Sequence, residues 1–336
     1  MTETRTLIAC SRQAAFRAVE RSTGGWDVES ILPGEDVRCL AADPRDGKTL
    51  YAGTQGHGVF RSLDRGRTWD FAGLPEAAVK SLVVSPHKWD LVYAGTRPAW
   101  MFRSADGGRT WDELAGFRRI RNRWMWFSPA ESPWRAYVNA LAISPTDPER
   151  ILAGIEFGAV VLSEDGGETW SPHRRGALRD CHSLAFHDSD GDWAYEAGGT
   201  GGGASVSRDG GATWKQTRQG LAVGYGVACA ADPERPEIWY VSAAPGPGKA
   251  YGDPSAAYLY RASGGAPWQP IGWEAHPMIH MPLTLVTDPA APGHLYAGTT
   301  AGEVWHTCDH GDNWARLAFR FGGPVYSLVL SSPLRR

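Results

Sequence analysis

Glu156 stands inside an otherwise apolar run, Ile151 to Val161, and Asp180 and His182 flank Cys181 further along the chain. A carboxylate so placed needs water or a cationic partner, because moving an unpaired charge out of water is costly. Arg97 and His182 are the candidate partners. Facing each other across a cleft, Glu156 and Asp180 would supply a general acid and a general base, with His182 tuning the proton affinity of Glu156. Asp180 can equally serve as a capped turn residue. A second group lies in residues 112–137, where Phe117-Arg-Arg-Ile-Arg-Asn-Arg-Trp-Met-Trp-Phe127 precedes Trp134 and Tyr137. Four Arg in six positions, ending at Arg123 beside Trp124 and Trp126, could clamp a carboxylate, sulfate or phosphate and stack on a sugar or aromatic face. Arg174, Arg175 and Arg179 would extend that positive patch. Alternatively, the aromatics pin a long loop to the scaffold and the Arg side chains stay in solvent.

Other chemistry is weaker. His276 and His280 have the spacing of a helical metal pair, but Pro277 and Pro282 argue against a helix, so no metal site is expected. Five Cys, none in a CxxC pair, point to neither zinc nor a disulfide framework and suit a reducing compartment. No motif calls for a cofactor. With 34 basic and 37 acidic residues the net charge is −3, and no nucleic-acid partner is expected. The first ten residues lack the apolar run of a signal peptide, and no stretch of 18 apolar residues occurs anywhere. A cytoplasmic protein with no membrane partner is the expectation.

The elements that must hold these groups recur along the chain. Ser62-Leu-Asp64-Arg-Gly66-Arg-Thr68-Trp69 returns at Ser104 to Trp111, Ser163 to Trp170 and Ser207 to Trp214. A fifth octamer is altered at Thr307, Asp309, Gly311, Asn313 and Trp314, and two eroded ones end at Trp26 and Trp268. The seven Trp are 43, 42, 59, 44, 54 and 46 residues apart, the period of a four-stranded propeller blade lengthened by insertions. In each octamer the Asp can accept backbone N–H groups of a tight turn, Gly supplies positive φ, and Thr ties the outgoing strand back. Ahead of each come two strands, such as Val37 to Ala41 and Thr49 to Gly53, joined by a Pro- and Asp-rich turn. The 41 Gly, 23 Pro and 16 Trp fit many short strands rather than helices.

The chain ends complete the count. Val325 to Leu330 is an inner strand with nothing after it, whereas Thr6–Cys10, Ala15–Val19 and Trp26–Ile31 are second, third and fourth strands with nothing before them. Residues 1–336 therefore read as one all-β, seven-bladed propeller of four-stranded antiparallel blades. Residues 6–31 and 325–331 make the closing blade, which removes the free sheet edge.

The octamers resemble the Asp-box, or BNR, repeat of sialidases, xyloglucan-cleaving glycosidases, the sortilin ectodomain and a photosystem assembly factor. The resemblance implies a propeller in which Asp64, Asp106, Asp165, Asp209 and Asp309 are structural turn residues away from any active site. It implies no single chemistry. Sialidases of this kind have six blades and an early Phe-Arg-Ile-Pro motif, for which Phe16-Arg17-Ala18-Val19 is the nearest match here. Xyloglucan-cleaving enzymes set two seven-bladed propellers around a cleft, and this chain supplies one.

In such a ring the octamers lie on one face, and the long segments 112–137, 172–180, 243–257 and 270–282 lie on the other. Function belongs where length varies without structural need. The inner strands share a position just inside their starts, occupied by Arg38, Lys80, Asn139, His182, Gly226, Leu283 and Tyr326. These should ring the mouth of the central channel, either solvated or in contact with a ligand. The ends of the second strands add Gln55, Arg97, Glu156 and Thr300, with His57 and Glu303 a little beyond. The expected site combines Arg97, Lys80, Arg38, Asn139, His57, Arg123, Trp124, Trp126 and Tyr326, and its ligand is a small anionic or carbohydrate-like molecule or a protein segment. The alternative is a glycoside hydrolase or lyase acting on an acidic glycan or glycoside, with Glu156, Asp180 and His182 catalytic.

Overall fold

The computed structural model describes residues 5–11, 14–130, 132–199 and 202–331. Seven antiparallel sheets are arranged as a β-propeller. The inner strands run Val37–Ala42, Ala78–Val84, Val138–Ile143, Cys181–Phe186, Tyr225–Ala231, Pro282–Thr287 and Ser327–Leu330. Each packs against the inner strand on either side, so the cycle closes. Blades one to six are counted from Val37, and the closing blade is ordered Ser327–Leu330, Thr6–Cys10, Ala15–Glu20, Trp26–Ile31. Its seam pairs Leu7 with Leu330 and Cys10 with Ser327, joining the two ends of the chain.

Blade three departs from the four-strand expectation. Its sheet has three strands, and residues 171–174 run beside the third as an irregular segment, with Ser171 and Arg174 N–H groups donating to Leu162 and Val160 at 2.8 Å each. Among the described residues helix is confined to short turns, and no helix is long and apolar enough to cross a membrane.

The octamers close as their residue types require. Ser62 Oγ donates to Asp64 Oδ1 at 2.8 Å and accepts from Gly66 N–H at 2.8 Å, while Asp64 accepts Thr68 N–H at 2.9 Å and Thr68 Oγ1–H at 2.7 Å. The same contacts recur at Asp106, Asp165 and Asp209, and at Asp309 with Thr307 and Asn313 in the Ser and Thr places. Gly66 takes φ +77°, a conformation that L side chains disfavour. The turn also donates a backbone N–H to the turn between the first two strands of its own blade, as from Arg65 to Lys48 and Gly107 to Asp90. These turns therefore share one face of the ring.

Between blades the core is fully buried tyrosine and aliphatic side chains from the second strands, including Tyr51, Tyr93, Tyr195, Tyr240 and Tyr296. The Tyr93 hydroxyl crosses to donate to Gly166 O at 3.1 Å in the next blade. Gly95 allows close approach of that blade, since a Cβ there would lie 2.6 Å from Val138.

Candidate functional site

The channel mouth is built by a recurring irregularity. In blades one to six the pairing of first and second strands slips by one residue, between Val37 and Cys39, Val79 and Ser81, Val138 and Ala140, Cys181 and Ser183, Gly226 and Ala228, and Pro282 and Thr284. The skipped residues are Arg38, Lys80, Asn139, His182, Val227 and Leu283. A bulge frees one residue from the ladder and re-aims its side chain. In the closing blade Tyr326 precedes the strand and donates its N–H to Cys10 O at 3.0 Å. All seven side chains line one cavity of about 530 Å³. The expectation of Gly226 in this ring is corrected by one residue to Val227.

Around that floor stand Tyr137, Phe157, Tyr225 and Tyr251, with Glu156 among them. The Lys80 ammonium lies 5.2 Å from the Tyr137 ring centroid and donates to Gln55 Oε1 at 3.0 Å. Arg38 pairs with Asp36 at 2.6 Å. Asn139 donates its amide to the Cys181 and His182 carbonyls at 3.2 and 3.3 Å, which ties the inner strands of blades three and four.

Glu156 and His182 sit together at one side. The His182 Nε2 atom lies 3.6 Å from Glu156 Oε2 and 3.5 Å from Asp180 Oδ1. Its Nδ1 is 2.6 Å from Gly226 O, and its ring packs on Tyr225 with centroids 4.9 Å apart. Burial pushes the Glu156 carboxyl up to about 7, against the opposing pull of His182. Burial disfavours the His182 imidazolium, but the adjoining Asp180 carboxylate and the charge of Glu156 outweigh it, and the pKa is raised. Asp180 has no accessible surface and accepts Phe157 N–H at 3.4 Å. It stands behind Glu156 and His182, so the expected acid/base pair does not open together onto the cavity.

Five expected ligand-binding residues, Arg97, His57, Arg123, Trp124 and Trp126, stand apart from the cavity. Phe117 is fully buried and holds Trp126 at 5.9 Å and Trp170 at 5.2 Å between ring centroids, which anchors the 112–137 segment to the scaffold. Arg123 donates to Ala99 O at 2.5 Å and covers Trp126, while Trp124 is 84% exposed. The expectation of an Arg and Trp clamp at the cavity is corrected: Phe117 and Trp126 fasten the loop, and among the described residues of the segment only Pro129, Ala130 and Tyr137 reach the cavity. Arg97 donates to Pro133 O at 2.6 Å and likewise does not line it. His57 pairs with Glu35 at 2.7 Å and is also outside.

Sequence reasoning missed Tyr225, whose position at the start of an inner strand carried no periodic signal. It also missed Glu196, which is fully buried behind the site. There Oε2 accepts Leu178 N–H at 2.9 Å, Oε1 has no hydrogen-bond partner, and burial pushes the carboxyl up to about 8. A separate groove of about 540 Å³ on the outer wall is lined by Trp193, Trp214, Trp239 and Trp268 with Arg208 and Lys215.

No protein-family model and no curated protein matches the chain. Solved structures do match, at identities that carry the fold alone. A GH74 xyloglucanase from Xanthomonas campestris aligns with TM-score 0.66 and 21% identity over 96% of this chain and 53% of its own. An ancestral GH74 enzyme aligns with TM-score 0.64 and 16% identity over 88% and 38%. The chain thus spans about four tenths to half the length of these enzymes. YCF48 bound to D1 peptide aligns with TM-score 0.61 and 13% identity over 93% of this chain and 97% of that one. The fold and its open channel mouth define a seven-bladed β-propeller.

Proposed function

We propose that the protein is a binding propeller whose channel mouth seats an anionic ligand with a sugar or aromatic face, free or displayed on a protein segment. The observation that carries this reading is the seven-residue ring itself, with Lys80 and Arg38 charged on its floor and tyrosines for walls. A few charged groups converging between aromatic surfaces are what small-ligand sites offer. The octamers' resemblance to Asp-box repeats assigns them to the scaffold and leaves the opposite face for recognition. The peptide in the YCF48 structure supports the protein-segment form, and the GH74 neighbours support the sugar form.

The second reading is a glycoside hydrolase. It is favoured by the Glu156 carboxyl, which faces the cavity and is raised to about 7, where a general acid works. Burial of Asp180 weighs against it, because a second carboxylate must reach the sugar.

Calorimetric titration with glucuronate, benzoate and a short peptide bearing a free C-terminal carboxylate tests both. Lys80→Ala and Tyr225→Ala should each weaken binding about 10-fold or more with an unchanged melting curve, as loss of a charged or aromatic anchor does. Arg97→Ala and Trp126→Ala should leave affinity unchanged. Glu156→Gln should retain binding, and turnover of an aryl glucuronide by the wild type that this variant loses would favour the hydrolase. Affinity indifferent to Lys80 and Tyr225 would overturn the binding site.

A further inference from the structure

The geometry points to a divalent metal site formed by Glu156, Asp180 and His182 at the edge of the channel cavity, and we propose that it takes a first-row transition ion of the zinc class. The inference does not rest on what ligand the cavity seats. One nitrogen and two carboxylate oxygens, one from each residue, lie within 4.8 Å of one another. They come from rigid positions: Glu156 follows the second strand of blade three, and Asp180 and His182 bracket the first residue of blade four's inner strand.

The tautomer of His182 is set from behind. Its Nδ1, 2.6 Å from Gly226 O, can only donate to that carbonyl, which leaves the Nε2 lone pair directed at the two carboxylates. Without a proton on one of the three groups such an arrangement repels, and a cation between the three atoms relieves it. A proton on Nε2 serves poorly, since its 3.5 and 3.6 Å separations from the oxygens exceed the roughly 2.7–2.9 Å of a charge-assisted hydrogen bond. They match the edges of a metal polyhedron: ligands about 2.1 Å from a tetrahedral ion stand about 3.4 Å from each other.

A second observation is independent of these distances. Asp180 Oδ2 has no hydrogen-bond partner although its side chain is only 1% exposed. A buried carboxylate oxygen without a partner is costly to the fold and calls for a donor or a cation. The space in front of it is held open by Gly199, where a Cβ would lie 2.1 Å from this oxygen and 2.9 Å from His182 Cε1. The Tyr225 hydroxyl, 3.5 Å from His182 Nε2, bounds another side.

One imidazole with two carboxylates suits zinc, manganese or ferrous iron, whereas calcium needs six to eight oxygens. Glu156 and His182 both line the cavity, so an ion bound here would turn an open coordination position toward it. That position fits an oxygen of an anionic ligand.

The test uses full-length protein dialysed against EDTA and then titrated calorimetrically with zinc chloride, and separately with manganese, magnesium and calcium chlorides. The expected result is one zinc per chain, bound at least about 10-fold more tightly than magnesium or calcium. Glu156→Gln, Asp180→Asn and His182→Gln should each weaken zinc about 100-fold or more, since even outer-shell changes cost 10- to 100-fold. Each variant's circular dichroism and melting curve establish that it folds. Cobalt substitution gives a second readout, a visible absorption band present in the wild type and absent from His182→Gln. Absence of zinc binding would overturn the proposal. So would zinc binding that survives these variants and is lost instead in His294→Ala, whose ring neighbours His306 at 3.0 Å.

Discussion

Glu196 offers a quantitative check on how the protein buries charge next to its site. Replacing it with Gln keeps an oxygen for the Leu178 N–H and removes the ability to ionise. The folded carboxyl is raised from an ordinary 4.5 to about 8 by burial. The sign follows from proton linkage. Below pH 4.5 the group is neutral in both states and costs nothing, whereas above it the unfolded chain ionises while the folded chain holds its proton until about pH 8. The fold therefore loses stability across that window, by about 1 kcal/mol at pH 5 and about 4 kcal/mol at pH 8. Glu196→Gln is exempt from this loss. Its amide NH₂, placed where Oε1 has no partner, adds a constant cost of about 1–3 kcal/mol that does not vary with pH. The quantity to follow is thus a difference of differences, from urea unfolding of both proteins at pH 5, 6, 7 and 8 with EDTA present. The variant should gain about 3 kcal/mol on the wild type between pH 5 and pH 8. An offset that stays the same at every pH would refute the reasoning.

Deleting residues 325–336 removes the inner strand of the closing blade, with Val325 and Leu328 buried to 1% and 3% exposure. The lost ladder and apolar burial amount to more than about 5 kcal/mol, so the truncated chain should aggregate or melt far lower, and an unchanged melting temperature would contradict the closure. Asp106→Ala should lower stability by about 1–2 kcal/mol, at the low end because the turn is partly exposed, and leave ligand affinity untouched. Hydrogen bonds from Thr110 hold that carboxyl down to about 2. Its contribution is accordingly present above about pH 4 and fades as pH falls through 2, which thermal melts across that range would detect.

The ring and its closure are legible because they rest on local rules repeated seven times. An octamer with Asp, Gly and Thr at fixed offsets can close in few ways, and an orphan inner strand at one chain end needs the three orphan strands at the other. The channel residues are legible for a related reason: each sits at the same bulge, so the polar exceptions Arg38, Lys80, Asn139 and His182 line up. Blade five shows the limit of that signal. Gly226 and Val227 offer no polarity to mark which is skipped, and the bulge falls one residue later than alignment suggests. The 112–137 segment misleads because composition carries no direction. Arg beside Trp reads as a clamp, yet a long loop must bury something to stay ordered, and Phe117 and Trp126 are what it buries. Tyr225 opens an inner strand ahead of its bulge and Tyr251 arrives from an irregular connection, and at neither place does a period mark the side chain.

A crystal structure of the protein soaked with glucuronate tests the central claim most directly. The sugar carboxylate should lie in the channel mouth within hydrogen-bond reach of Lys80, with the ring against Tyr137 or Tyr225. Density for the sugar in the outer groove of Trp193, Trp214, Trp239 and Trp268, with the channel mouth vacant, would contradict the account.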